Sequence, residues 1–213
     1  EAEFAPSNEG ITAGFLNWMY TDIWPSGSWS VIDYWCEPKQ VYYQMKRSFE
    51  PRLVTFVQNA NGATELVVVN DTLQPFTTIV KYGVKSLDGQ LLFQGEAQVE
   101  GLENTVFTKV VEFDCNRADI YLFAEYVNDG ERKCNLYSPK MWSGATFTSD
   151  YMVKTQLVNP NRARVTIKAN AFAKSVFISF KDNYKYNYSD NYIDVEAGME
   201  QIIEITSDEV INL

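Results

Sequence analysis

Histidine is absent from this 213-residue chain. Its absence removes the commonest general acid/base near neutral pH and the commonest zinc ligand. Any catalysis would have to run on carboxylates, Tyr, Lys or Cys. Cysteine is scarce: Cys36, Cys115 and Cys134 are too few and too scattered for a disulfide framework. Cys115 and Cys134 could pair only if the fold makes their strands adjacent. Positive charge is also in short supply, with 18 basic residues against 28 acidic ones and a net charge of −10. Such a surface repels a phosphate backbone, so nucleic acid is excluded as a partner. No apolar run reaches the ~18 residues of a membrane-spanning helix, and Glu1-Ala2-Glu3 does not open a signal peptide. Neither a glycine-rich phosphate loop, HExxH nor GxSxG occurs. No metal or cofactor is expected.

What the chain does have is apolar and aromatic mass. Hydrophobic residues make up 46% and aromatics 15%, with thirteen Tyr and thirteen Phe against five Met. A packed core follows, built from strands rather than a helical bundle. The length suits one large domain or two of about 70–100 residues.

Residues 11–20 (ITAGFLNWMY) are almost continuously apolar and read as a fully buried strand. Residues 21–35 (TDIWPSGSWSVIDYW) concentrate Trp24, Trp29 and Trp35 in loop-like sequence. Leaving so many aromatics in water is costly, so they should cover a pocket or an interface. Residues 38–50 predict a helix with Pro38 in its first turn and Val41, Tyr42, Met45 and Phe49 on one face. Pro51 stops it.

The pattern then changes to short alternating runs. Strands are predicted at 52–58, 64–70, 76–86, 90–99, 105–113 and 120–127. The separators include Asn61-Gly62, Asp88-Gly89 and Asn128-Asp129-Gly130, and Asp88-Gly89 is a hairpin signal. Many strands with no intervening helix predict an antiparallel sandwich. Residues 134–146 read as a linker or a first edge strand. Strands recur at 149–158, 163–170, 174–180, 191–195 and 200–206, with a Tyr- and Asn-rich turn between Phe180 and Asn191.

Asp22 and Asp33 flank the tryptophan cluster, and a carboxylate pair in an aromatic pocket would suit glycoside hydrolysis. The blander alternative is one Asp ending a strand and one capping loop backbone. Trp18, Trp24 and Trp29 are the stronger candidates, because a flat indole suits the apolar face of a pyranose. Cys36 has no histidine to activate it and reads as a buried thiol. Asp190, Asn191 and Asp194 lack the pattern of a calcium loop and read as an Asx turn.

The run Gly14-Phe15-Leu16-Asn17-Trp18-Met19-Tyr20-Thr21-Asp22-Ile23-Trp24-Pro25, continuing through Trp29 to Asp33-Tyr34, resembles glycoside hydrolase family 2 in its β-mannosidase and exo-β-glucosaminidase branch. Tyr42-Tyr43, Lys46-Arg47 and Glu50-Pro51 extend the likeness, as do Val69-Asn70-Asp71-Thr72-Leu73, Asp190–Asp194 and Ala197-Gly198. Met19-Tyr20-Thr21 departs from the Gln-Leu-Asn of many β-mannosidases, which leaves the sugar open between a β-mannoside and an amino-sugar or other β-glycoside. The resemblance implies that residues 11–22 are the last strand of a (β/α)₈ barrel and 38–50 its following helix. The family's two retaining-mechanism glutamates lie on barrel strands four and seven, upstream of anything present here, so no catalytic residue is expected in this chain. Trp18, Asp22, Trp24 and Trp29 would reach the rim of the sugar site, at the C-terminal ends of the barrel strands.

The resulting expectation is a mainly β chain: a barrel remnant over 1–50, an immunoglobulin-like β-sandwich over 51–135 and a second over 136–213. Its partners would be a β-linked glycan, met through the parent enzyme, and the upstream barrel. The exposed edge of the barrel remnant would be open to dimerisation. A periplasmic or extracellular parent fits. The rival readings are a carbohydrate-binding module, with Trp142, Tyr184, Tyr186 and Tyr188 as the place to look, and a purely structural scaffold.

Overall fold

The computed structural model describes residues 16–113, 117–138, 140, 142, 144–148, 150–181 and 185–212. Two compact units emerge. One contains residues 49–146, the other residues 16–48 together with 147–213. Cys115 and Tyr184 lie outside the described residues, and with them the expectations about the Cys115–Cys134 pair and the far end of the tyrosine row.

In the first unit β1 (Arg52–Gln58), β2 (Thr64–Asn70) and β5 (Thr105–Val110) form one antiparallel sheet in the order β1-β2-β5. The second sheet has the order β4-β3-β6-β7, from β3 (Phe76–Ser86), β4 (Leu91–Leu102), β6 (Ile120–Asn128) and β7 (Glu131–Tyr137). Seven strands in two facing antiparallel sheets make an immunoglobulin-like sandwich. Alternation explains the register. Val54 and Phe56 of β1 face inward with Leu66 and Val68 of β2, and meet Val80, Tyr82, Val84, Leu122 and Ala124 from the other sheet. Asp88-Gly89 closes the β3–β4 hairpin as expected, with Gly89 at φ 92°. Gly83 lets β3 run close to its neighbours: a Cβ there would sit 2.2 Å from the Phe93 carbonyl oxygen and 2.8 Å from Phe123 Cε1.

The second unit has the sheet β11-β13-β9-β8, from β8 (Tyr151–Asn159), β9 (Arg162–Ala169), β11 (Asn187–Tyr188) and β13 (Glu200–Thr206). A small sheet pairs β10 (Ala173–Val176) with β12 (Ile193–Val195). Its core joins Ala163, Val165 and Ile167 of β9 to Ile203 and Ile205 of β13 and to Ile193 and Val195 of β12.

Two expectations fail here and a third is met only in part. Of the buried strand expected over 11–20, residues 11–15 lie outside the described residues, and 16–20 form no strand, with Leu16 97% exposed. A strand buried on both faces needs paired neighbours and covering layers. The one parallel pairing among the described residues is the isolated bridge between Thr21 and Ile32. Helix α1 (Gln40–Ser48) forms, but its buried side chain is Tyr43, while Val41 and Phe49 are exposed. Of residues 134–146, read as linker or first edge strand, 134–137 belong to the edge strand β7, which the Asp129-Gly130 turn folds back onto β6 of the first sandwich.

Candidate functional site

The tryptophan segment hangs from a short hydrogen-bonded frame. The Tyr20 carbonyl accepts from the amides of Val31 (3.0 Å) and Ile32 (2.9 Å), and the Asp22 amide donates to the Ile32 carbonyl at 3.0 Å. The Lys39 amide donates to the Val31 carbonyl at 3.0 Å. These bonds bring residues 20–22 beside 30–32 and leave 23–29 as a loop. Ser30 and Val31 are buried under it and fix its returning end.

A polar clasp closes the loop from within. The Asp22 side chain is only 2% exposed and holds Lys39 Nζ at 2.7 Å through Oδ2. Its Oδ1 accepts from the Ser28 hydroxyl. Lys39 Nζ also donates to Ser30 Oγ at 2.7 Å and to the Ser28 carbonyl at 3.2 Å. Every partner that a buried carboxylate and a half-buried ammonium need is supplied within the clasp. The Lys39 ammonium, then the Ser28 hydroxyl, hold the Asp22 carboxyl below the usual carboxylate range. Asp22 is therefore an anion with both oxygens engaged, a structural charge rather than a proton donor.

Asp33 does what a capping aspartate does. Its Oδ1 accepts from the amides of Trp35 at 2.9 Å and Glu37 at 2.8 Å, tying the turn that leads into α1. Cys36 lies in that turn at φ 66° and is exposed, not the buried thiol expected; the turn needs a left-handed residue there and points the thiol to solvent.

The aromatic side chains of the segment face water. Trp18 is 79% exposed, Trp24 60% and Trp29 76%. Tyr20 and the edge-to-face pair Tyr34 and Trp35, with centroids 5.7 Å apart, are exposed as well. The four predicted site residues thus separate into three exposed indoles and one buried anion. The anion anchors the loop that carries two of the indoles.

Helix α1 seats this segment on its own sandwich. Arg47 Nη1 meets Asp190 Oδ1 at 2.5 Å and the Asn191 carbonyl at 3.2 Å, while Nη2 reaches the Tyr192 carbonyl at 3.4 Å. Lys46 Nζ donates to the Ser189 carbonyl at 2.6 Å. Tyr43 packs against Tyr192, which stacks on Phe177 at 4.5 Å. Burial pushes the Tyr43 hydroxyl up to about 12, so it stays neutral. The segment 189–192 is itself held by side-chain bonds to the next amide, Asn191 N–H to Asp190 Oδ1 at 2.8 Å and Tyr192 N–H to Asn191 Oδ1 at 2.9 Å; these are one residue short of the expected Asx turn, and Asp194 lies in β12, paired with Lys174. Lys39 is the residue that sequence reasoning missed; Tyr43 and Arg47 stood out only as part of the family resemblance, with no role given to them.

Elsewhere, Tyr186 and Tyr188 are half-buried. They pack on Phe180, with centroids 5.1 Å and 6.5 Å away, at the margin of the core.

Residues 149–212 match the Ig_mannosidase family, an Ig-fold domain. Beta-mannosidase B of Thermothelomyces thermophilus is 45% identical over 38 residues, covering 18% of this chain and 4% of that protein. Beta-mannosidase B of Aspergillus niger is 42% identical over 44 residues, covering 21% of this chain and 5% of that protein. Among solved structures, the β-D-mannosidase of Dictyoglomus thermophilum superposes with a TM-score of 0.77 at 21% identity, covering 91% of this chain and 24% of that one. The exo-chitosanase of Amycolatopsis orientalis gives 0.65 at 16% identity, covering 88% of this chain and 27% of that one. This chain spans about a quarter of the length of those solved enzymes. In sequence and fold it is similar to the C-terminal portion of glycoside hydrolase family 2 enzymes.

Proposed function

We propose that this chain is the non-catalytic C-terminal region of a retaining β-glycosidase of the β-mannosidase type, which acts on terminal β-glycosides. The sandwiches brace a catalytic barrel that supplies both reacting carboxylates. Trp18, Trp24 and Trp29 line the rim of the sugar site, and Asp22 holds the rim in place through Lys39.

The observation that carries this reading is the contrast within residues 16–39. Three indoles stand open to solvent on a segment whose backbone is fixed by a buried ion pair. Soluble proteins seldom leave that much aromatic surface bare without a ligand or partner for it. Of the two aspartates beside the indoles, Asp22 is ion-paired and Asp33 caps a turn. This supports a role in holding a sugar face rather than in cleaving the glycosidic bond.

The test has two arms. The purified chain should not hydrolyse aryl β-mannoside or aryl β-glucosaminide; turnover comparable to that of a complete enzyme would overturn the reading. In the parent enzyme, Trp24→Ala should raise KM for β-mannosides. An unchanged KM with Trp18→Ala, Trp24→Ala and Trp29→Ala alike would remove these residues from the site.

A further inference from the structure

Strand β8 is an edge with an open core face. All nine of its residues are exposed, although the sheet has a well-packed core one strand away. Tyr151, Val153, Thr155 and Leu157 lie opposite Ala169, Ile167, Val165 and Ala163 of β9. Directly opposed residues share a face of the sheet. The β9 members of those pairs are buried, yet Val153 is 56% exposed. The small sheet of β10 and β12 shares a core cluster with β9 and β13, and no residue of β8 belongs to that cluster. Among the described residues, β8 pairs with β9 alone.

Edge strands are normally guarded by several charges, a proline or a central bulge. Strand β8 has no proline and one charge, Lys154, and its single irregularity falls at its end, between Leu157 and Asn159. Its sequence, YMVKTQLVN, is self-complementary in one antiparallel register. With Thr155 opposite its own copy, Val153 faces Leu157 twice, Met152 faces Val158 twice and Lys154 faces Gln156. A register centred on Lys154 sets two ammonium groups against each other, and one centred on Gln156 sets Lys154 against Val158. Only the Thr155 register joins apolar to apolar on both faces with no like charges opposed.

We propose that β8 is a self-association edge. Two copies of this chain pair antiparallel about a twofold axis through Thr155, extending the β11-β13-β9-β8 sheet into one continuous sheet and covering Val153 and Leu157 with each other. Such an interface is isologous, as closed dimers require. The inference is independent of the glycosidase reading and uses none of the tryptophan segment.

Sedimentation velocity of the 213-residue chain should show a concentration-dependent monomer–dimer equilibrium. Leu157→Lys and Val153→Lys replace exposed side chains, leave the circular dichroism unchanged, and should each weaken the dimer by about tenfold or more. In a Cys36→Ser background, Thr155→Cys should form an intermolecular disulfide on mild oxidation, because opposed Cα atoms lie ~4.5–5.5 Å apart, within bridging range. Lys154→Cys should not. A chain that stays monomeric at every concentration overturns the proposal. So does a dimer that tolerates both lysine substitutions, or one in which Lys154→Cys cross-links and Thr155→Cys does not.

Discussion

Removing the Arg47 fork should loosen the tryptophan segment from its sandwich before the sandwich itself melts. Arg47 makes three contacts to residues 190–192, one ionic and two to carbonyls. The ion pair is half-buried, with side chains 32% and 28% exposed, so it contributes no more than about 1 kcal/mol. The carbonyl bonds, at 3.2 and 3.4 Å, are long; each contributes about 0.5–1 kcal/mol even with a charged donor. Arg47→Met keeps the aliphatic stem and removes all three, for a total of about 1–3 kcal/mol. Arg47→Lys retains a point charge but not the planar fork, and should cost about half as much.

The tryptophans make the assay selective. Four of the five, Trp18, Trp24, Trp29 and Trp35, lie in residues 16–48, so fluorescence follows the segment while far-ultraviolet circular dichroism follows the strands. In urea, Arg47→Met should bring the fluorescence transition to lower denaturant than the dichroism transition, with Arg47→Lys in between. Coincident transitions at the wild-type midpoint would refute the reasoning. They would mean that Tyr43 packing on Tyr192 holds the helix without help from the guanidinium.

The remaining expectations are narrower. Gly83→Ala should destabilise the first sandwich by about 3 kcal/mol or more, read from its melting transition, because the new methyl collides with backbone as well as with Phe123. Tyr126→Phe removes a 2.9 Å bond from the hydroxyl to the Arg52 carbonyl and should cost about 1 kcal/mol in urea unfolding. Burial raises that hydroxyl to about 12, so the folded state holds its proton more tightly than the unfolded chain does. Its contribution is complete below the ordinary tyrosine value of about 10 and is lost as pH rises toward 12. Asp22 runs the other way: its folded carboxyl is depressed by Lys39 and Ser28, so the clasp is intact above the ordinary aspartate value of about 3.9 and opens only at pH below it. A tryptophan-fluorescence titration should show this acid transition, and Lys39→Met should move it to higher pH; an unmoved midpoint would deny Lys39 its part in the clasp.

Local chemistry decided which features could be read from the chain. Strands β1, β2 and β3 fall at their expected residues because apolar and polar positions alternate over a buried face, and Asn61-Gly62 and Asp88-Gly89 mark turns that need left-handed glycines. Strand β7 was only half legible, its residues 134–137 falling in a stretch read as linker or first edge strand: none of Glu131–Tyr137 is fully buried, and the stretch carries little alternation. The helix was legible as a helix and misread as to its face. Val41, Met45 and Phe49 outweigh Tyr43 in any periodicity argument, yet the surface that α1 meets is a row of carbonyls at 189–192. Such a surface selects the face carrying Tyr43, Lys46 and Arg47, and hydrophobic spacing contains no information about it. The site divides along the same line. The indoles stood out in sequence because exposed aromatics are expensive in any fold. The partner of Asp22 did not, because Lys39 lies seventeen residues on and is brought back only when Ile32 bridges to Thr21 on one side and Pro38 on the other. Asp22 draws its meaning from that closure: in sequence it is half of a plausible catalytic pair, and in the fold it is the buried anion that lets a loop of tryptophans stand in water.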